Sequence, residues 1–354
     1  MPVKHFTPAW KTFHPVRSQQ QRTDKKKRQG KNLFQACREG NLSRVRDILS
    51  KGQVFLNRGE RGNGRTPVML AARRGHIDVF DLLKSKVCNM SILDVLHMFC
   101  YGGQVAMVKH VLKLDSVDIN SRGQKGRTCL MIAAHRGKRE LFKFLVNTGS
   151  NVSMVDQVGD NILHIACKGG HVEMVKYIIS RRLVDVNSRG QDSKTVLMFA
   201  LLARNRKIFD LCVCAGCNLT AVDGQGNNIL HLALQSENLE MVRYIISQNF
   251  TDINSRGPSG WTPVMFAAMF GEIGLFDFIM SKGGDASVVD DDGRNILHLA
   301  SHEGLMKLVK HILSKDIVDV NARTKDGETA AEIANRKSYR ELSGFLTSQG
   351  RQGK

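Results

Sequence analysis

Cys212, Cys214 and Cys217, in the run CVCAGC, are the residues whose type and spacing first invite chemistry. Thiolates placed like this could hold zinc or exchange a disulfide. Structural zinc wants four ligands, however, and no other Cys or His stands near them in their own stretch of sequence. Four histidines make a second candidate set. His97, His164, His231 and His298 stand 67 residues apart, so they mark one position of a repeated frame and not a convergent catalytic group. Serine–histidine–aspartate groupings, a phosphate-binding loop and paired carboxylates are all missing from the sequence. The expectation is a chain with no catalytic residues, no metal and no cofactor.

The elements that carry these residues recur at the same interval. VDINSRGQKGRT at Val117 returns as VDVNSRGQDSKT at Val184 and TDINSRGPSGWT at Thr251. Each block splits into two similar halves. One reads T-x-[VL]-M-x-A and then a Phe-bearing run, as in TCLMIAAHRG with LFKFL. The other reads N-I-L-H-x-A and then an MV[KR] run, as in NILHIACKGG with EMVKYII. The unit is therefore 33 or 34 residues. In HVEMVKYII the apolar Val172, Met174, Val175, Ile178 and Ile179 recur at helical spacing, while Glu173 and Lys176 point away.

A period of 33 with T-P-L-H-x-A opening a helix resembles the ankyrin repeat, a β-turn followed by two helices. The resemblance implies an all-α repeat solenoid with β-hairpin tips. We expect a basic, disordered arm at 1–30 and an array at 31–349, followed by a short tail at 350–354. The approximate units are 31–60, 61–90, 91–123, 124–156, 157–190, 191–223, 224–257, 258–290, 291–323 and 324–349. A single helix pair is too small to bury its apolar face, so each unit relies on its neighbours. Gly137, Gly170 and Gly271 should end first helices, because Gly adopts φ > 0 without cost from a Cβ. His164, His231 and His298 match the family's histidine, which the resemblance makes a structural residue bonded to neighbouring backbone. Cys37, Cys100 and Cys167 replace the second Ala of the A-A pair, Cys129 replaces Pro, and Cys212 aligns with Leu145. All five read as small buried apolar residues.

The resemblance also implies binding through the groove of first helices and through the hairpin tips. The groove candidates are Arg73, Arg74, Tyr101, His135, Arg136, Lys168, Met269 and Phe270, basic in the first half and apolar around the eighth unit. The tip candidates are Arg122, Arg189, Arg256, Arg323 and Trp261. Asp156, Asp223 and Asp290 occupy the tips between, so each Arg either faces an acidic partner or pairs with the neighbouring Asp.

The formal net charge is +19, and the first 31 residues hold nine Lys and Arg against a single acid, Asp24. Lys25, Lys26, Lys27 and Arg28 form a run that reads as a nuclear import signal, a polyanion-binding arm or a solvated stretch. No apolar run approaches the ~20 residues of a membrane helix. No apolar leader precedes the array, which points away from secretion. The resulting expectation is a monomeric, non-enzymatic scaffold, cytoplasmic with a nuclear option, that binds an acidic protein segment. A nucleic-acid-associated basic protein is the alternative, and a zinc or redox role through Cys212, Cys214 and Cys217 is the weakest reading.

Overall fold

The computed structural model describes residues 32–352 apart from 53–55, 57–58, 60–64, 87–91 and 115–116. The basic arm, with Lys25, Lys26, Lys27 and Arg28, lies outside the described residues, as does Cys88. Among the described residues every regular element is helical, and the tips add only the isolated bridges Arg189–Thr195 and Arg323–Thr329.

The chain groups into two compact bodies, one built from 1–124, 128–133 and 138–150 and the other from 125–127, 134–137 and 151–354. The first holds α1 (32–39), α2 (Leu42–Ser50), α3 (Pro67–Arg74), α4 (Ile77–Lys84), α5 (Ile92–Gly102), α6 (Val105–Leu114), most of α7 (Cys129–His135) and α8 (Arg139–Asn147). The second takes the last two residues of α7 and continues through α9 (Ile162–Gly169), α10 (Val172–Ser180), α11 (Val196–Leu202), α12 (Arg206–Cys214), α13 (Ile229–Gln235) and α14 (Leu239–Ser247). It ends with α15 (Pro263–Phe270), α16 (Ile273–Ser281), α17 (Ile296–His302), α18 (Met306–Ser314), α19 (Ala330–Arg336) and α20 (Arg340–Gln352).

Odd-numbered first helices pack on the next first helix, from α9 through α19 in the second body and α3 on α5 in the first. First helices also pack on the second helix of their own unit, α3 on α4 and α5 on α6 in the first body and every pair from α9 with α10 to α19 with α20 in the second. The interior consists of the apolar stripes read from the sequence. Phe142, in the first body, and Phe209 and Phe276, in the second, stand 67 apart and are fully buried, each burial favouring the fold by about 1.5–3 kcal/mol. Ala267 and Ala268 are wholly buried, which lets α15 lie close to its neighbours.

Local capping explains where the helices begin. Asn161 Oδ1 accepts the amides of Leu163 and His164 at 2.9 and 3.1 Å, and His164 Nδ1 accepts the amide of Asn161 at 3.2 Å. This reciprocal cap satisfies amides that the first helical turn would otherwise leave unpaired. Asn228 with His231 and Asn295 with His298 repeat it. In the alternate units a methionine sulfur stands in for the ring: Met131 and Met198 Sδ lie 3.5 and 3.4 Å from the amides of Thr128 and Thr195. Gly170 and Gly271 end α9 and α15 at φ of 72° and 74°, as the sequence implied. Arg204 and Glu237 hold the same left-handed turn without being glycine, at roughly 1 kcal/mol of strain each. Arg204 offsets part of that by donating Nη2 to the Ser236 carbonyl at 2.5 Å.

Candidate functional site

The first-helix ends and the hairpin tips carry the candidate residues, and each body presents its own set. In the first body Arg73 and Arg74 are the last two residues of α3 and both are exposed. Tyr101, half-buried near the end of α5, precedes Gly102, whose Cα faces the Arg73 carbonyl so closely that no side chain would fit. Arg73, Arg74 and Tyr101 are thereby brought together on adjacent helix ends. Arg122 is exposed at its tip.

In the second body His135 is half-buried and Arg136 exposed, and Gly169 packs in the same way against the His135 carbonyl. Burial, followed by the positive charges of Arg127, Arg136 and His171, holds the His135 imidazole below the usual histidine range. Lys168 occupies the expected column but is committed to the fold. Its ammonium donates to the fully buried Asp160 carboxylate, reaches Gln191 Oε1 at 3.2 Å and lies 4.4 Å above the Phe199 ring. Asp160 in turn accepts the Gln191 amide at 2.9 Å. Lys168 is a buried-carboxylate partner first and a surface cation second.

Around the eighth unit three rings line up. Trp261 meets Phe266 edge-on at 5.1 Å, Phe266 lies 6.3 Å from Phe270, and Met269 precedes Phe270 on α15. Phe266 is buried, whereas Trp261, Met269 and Phe270 are half-exposed. Sequence reasoning named the outer residues and missed Phe266, which joins the two rings. Its signal was present, since Phe266 stands one block after Phe199.

At the tips, the recurring arginines act as staples. Arg189 Nη1 donates to the Val222 carbonyl at 2.6 Å and Arg256 Nη1 to the Val289 carbonyl at 3.0 Å, both on the neighbouring tip. Arg256 alone of these two adds a neighbouring aspartate, Asp291, at 3.3 Å. Arg323 closes its own turn on the Gly327 carbonyl and reaches Glu332 at 3.5 Å. The expected Arg–Asp pairing is therefore largely replaced by Arg–carbonyl bonding, because Asp156, Asp223 and Asp290 turn inward. Each of these buried carboxylates accepts two amides of its own turn and meets a cation: Arg127 at 3.4 Å, Lys194 at 3.7 Å and Arg294 at 2.8 Å respectively.

The three spaced histidines are structural. Their Nε2 atoms meet the carbonyls of Ser188, Ser255 and Ala322 in the following tip at 3.1, 3.1 and 3.0 Å. Since Nδ1 already accepts an amide, Nε2 carries the proton, and the neutral ring satisfies both ends. Burial lowers the affinity of all three rings for a second proton.

The cysteines require one correction. A further thiol does approach the cluster, because Cys167 of the preceding unit is hydrogen-bonded to Cys212, which also contacts Cys217. Sequence proximity could not show this, since the contact runs between units. Cys212 and Cys217 are buried and Cys214 exposed. Cys217 Sγ donates to the Val186 carbonyl at 3.5 Å. The thiol of Cys212 is pushed well up by its bond to Cys167, and that of Cys217 by its bond to Cys212 and then by burial. Protonated, buried thiols are poor ligands and poor nucleophiles. Among the described residues, His, Cys, Asp and Glu form no group of three that could hold a metal. Cys212→Ser is expected to destabilise the chain by about 1–3 kcal/mol through a buried hydroxyl, and Cys214→Ser by under about 0.5 kcal/mol. Urea titration of both variants checks this; equal losses would remove the distinction.

A second thiol pair was not foreseen. In the first body Cys100 and Cys129 hydrogen-bond one another beside His97. The thiol of Cys129 is lowered chiefly by Cys100 and that of Cys100 raised by burial. His97 Nε2 is buried with no hydrogen-bond partner among the described residues.

Reciprocally capped helix pairs at a 33- to 34-residue period, with histidines spent on inter-unit bonds, define a helical repeat module. Sequence profiles of ankyrin repeats match residues 84–156, 130–223, 197–285 and 264–352 as three-copy arrays and residues 33–83 as a many-copy array. The chain belongs to the ankyrin repeat family, whose repeats are non-catalytic protein–protein interaction modules. It is similar to the E3 ubiquitin-protein ligase KEG of Arabidopsis thaliana, 23% identical across 85% of this chain and 23% of that protein. Transient receptor potential cation channel subfamily A member 1 of Homo sapiens is 22% identical across 89% of this chain and 33% of its own length. Palmitoyltransferase AKR1 of Naumovozyma castellii is 31% identical across 57% of this chain and 27% of its own length. The chain spans a third or less of each of these relatives. No helix among the described residues is long and apolar enough to cross a membrane.

Proposed function

We propose that this chain is a non-enzymatic, monomeric scaffold that binds an acidic segment of a partner protein through exposed cations on its first-helix ends. The observation that carries the reading is the pair Arg73 and Arg74, exposed at the end of α3, in a chain of net charge +19. Arg136 supplies an exposed cation at the matching position in the second body. A surface of one sign concentrates oppositely charged partners and speeds encounter. Lys168 is left out of the binding set because Asp160 already neutralises it. The tip arginines are likewise assigned to structure, with Arg122 and the rest contributing positive potential only. Action in the cytoplasm, with nuclear entry through Lys25, Lys26, Lys27 and Arg28, belongs to the same proposal.

The test is charge reversal. Arg73→Glu with Arg74→Glu, and separately Arg136→Glu, are expected to weaken capture of the main protein partner at least tenfold while melting shifts by no more than ~1 kcal/mol equivalent, since exposed charges add little stability. Reversal of Lys143 and Lys176, on the second helices α8 and α10, should be tolerated. Equal weakening by both sets, together with a steep loss of affinity in salt, would favour the alternative of a polyanion or nucleic-acid binder.

A further inference from the structure

The three aromatic rings of the eighth unit occupy a place that the same chain fills differently one block earlier. There, Lys168 lays its ammonium 4.4 Å above the Phe199 ring while its charge is balanced by Asp160. Phe266 is the residue 67 positions after Phe199. The matching positions for Lys168 and Asp160 are Gln235 and Asn227, and these two bond to each other at 2.8 Å as neutral amides. The internal cation and the carboxylate that held it have been exchanged together.

Two neighbouring columns change with them. Trp261 stands where Arg127 and Lys194 reach the buried tip aspartates of earlier units. Asp290 has no need of it, because Arg294 supplies the cation at 2.8 Å from within its own turn. Phe270 stands where earlier blocks have Ala203 and Arg136. The result is a ledge of Trp261, Phe266 and Phe270 with its outer rings half-exposed, the neutral His231 ring 6.2 Å from Phe266, and, among the described residues, no lysine or arginine stacked on it.

Ring faces carry the negative end of an aromatic quadrupole, attract ammonium and guanidinium groups, and repel carboxylates. The nearby cations are already engaged: Arg204 on the Ser236 carbonyl, Arg256 on the Val289 carbonyl and Asp291, Arg294 on Asp290 and Asp292. Glu237 and Glu303, on the units before and after, add exposed carboxylates near the equivalent first-helix ends, that of Glu303 already meeting His302 Nδ1 at 2.7 Å. The charge pattern therefore complements a cation.

We propose that the Trp261–Phe266–Phe270 ledge receives a lysine or arginine side chain of a partner polypeptide, in the manner in which Phe199 receives Lys168. The inference rests on the array being a protein-binding module, and it does not depend on Arg73, Arg74 or Arg136. It assigns the two binding regions opposite charge preferences, acidic residues for the arginines and a basic one for the ledge.

The probe is arginine amide, with norleucine amide as the uncharged control, both acetylated at the α-amine so that only the side chains differ in charge, titrated into the full chain carrying Trp10→Phe so that Trp261 is the reporting indole. A saturable shift of the Trp261 indole N–H resonance is expected, at a concentration at least fivefold lower for arginine amide than for norleucine amide. Phe270→Ala should weaken it severalfold. Asn227→Asp with Gln235→Lys, which restores the internal cation of the earlier block, should abolish it while leaving the fold intact. The charge reversals at Arg73, Arg74 and Arg136 should leave the titration unchanged, which separates failure here from failure of the acidic-segment reading. Equal or tighter response to norleucine amide would make the ledge an apolar anchor and overturn the proposal. So would the absence of a saturable response to arginine amide in melting-competent protein, or its survival in the Asn227→Asp, Gln235→Lys variant.

Discussion

Asp223→Ala is expected to lower the stability of the chain by about 3–5 kcal/mol, whereas Asp291→Ala, at an exposed position in the next block, should cost under about 1 kcal/mol. The buried Asp223 carboxylate accepts the amides of Gln225 and Asn227, both at 2.9 Å, and the Asn227 side-chain amide at 3.3 Å, with Lys194 at 3.7 Å. Asn227 is itself fully buried. Removing the carboxylate leaves the buried Asn227 amide and the part-buried Gln225 amide without this acceptor, at about 1–3 kcal/mol each, and strips Lys194 of one of its two counter-charges. Asp291 only meets Arg256 at 3.3 Å in water. Asp223→Asn, which keeps an acceptor oxygen, should recover most of the loss. Urea denaturation of the three variants measures it, and a loss at Asp223 no larger than at Asp291 would mean that the tip turn is held by something other than its carboxylate.

That contrast also marks what the sequence could and could not reveal. The period, the two half-patterns and the glycines that end first helices were legible because each is local: Gly170 stops α9 at the end of its own apolar run, and the 67-residue recurrence exposes the column. The histidines could be assigned to structure for the same reason. The fate of Lys168 was not legible, because its partner Asp160 lies eight residues back and comes under it only when the tip folds inward. Cys100 with Cys129, and Cys167 with Cys212, were each read as isolated small residues; their contacts cross from one unit to the next, where sequence order gives no distance. The tip arginines were half legible. Alternation of Arg with Asp suggested pairing, but the carboxylates are consumed by their own turns, so the guanidinium finds the carbonyl of Val222 or Val289 instead. In the Trp261 ledge the signal was comparative: four columns change together in one block, and only the structure shows that the columns adjoin.

Mild acid should destabilise the second body through His164, His231 and His298. Burial is the leading cause that lowers all three rings; the charges facing them are Asp160, Asp156 and Lys168 for His164, Asp223 for His231, and Asp290 and Arg294 for His298. The carboxylates and the accepting carbonyls pull the other way without cancelling the burial. A histidine in the unfolded chain titrates near 6.5, so below that pH the unfolded state binds protons that the folded state refuses. The sign follows: this stability is fully present above about pH 6.5 and is lost as pH falls through the lowered folded values. Each ring can lose at most about 1.36 kcal/mol per pH unit, so three rings bound the loss at pH 5.5 to about 4 kcal/mol, before free carboxylates begin to titrate. Protonation would also turn Nδ1 from acceptor to donor and break the bond from the amides of Asn161, Asn228 and Asn295. His231→Met supplies the control, because Met131 and Met198 already fill this column in the alternate units. It should cost about 1–2 kcal/mol at pH 7.5 by stranding the Ser255 carbonyl, and should remove about a third of the acid sensitivity. Comparing the two chains at each pH cancels any contribution from Cys129 in the first body. Urea midpoints at pH 7.5, 6.5 and 5.5 decide the matter: a wild-type midpoint that stays flat over this range, or a His231→Met midpoint that falls in parallel with it, would show that these rings do not couple protonation to folding.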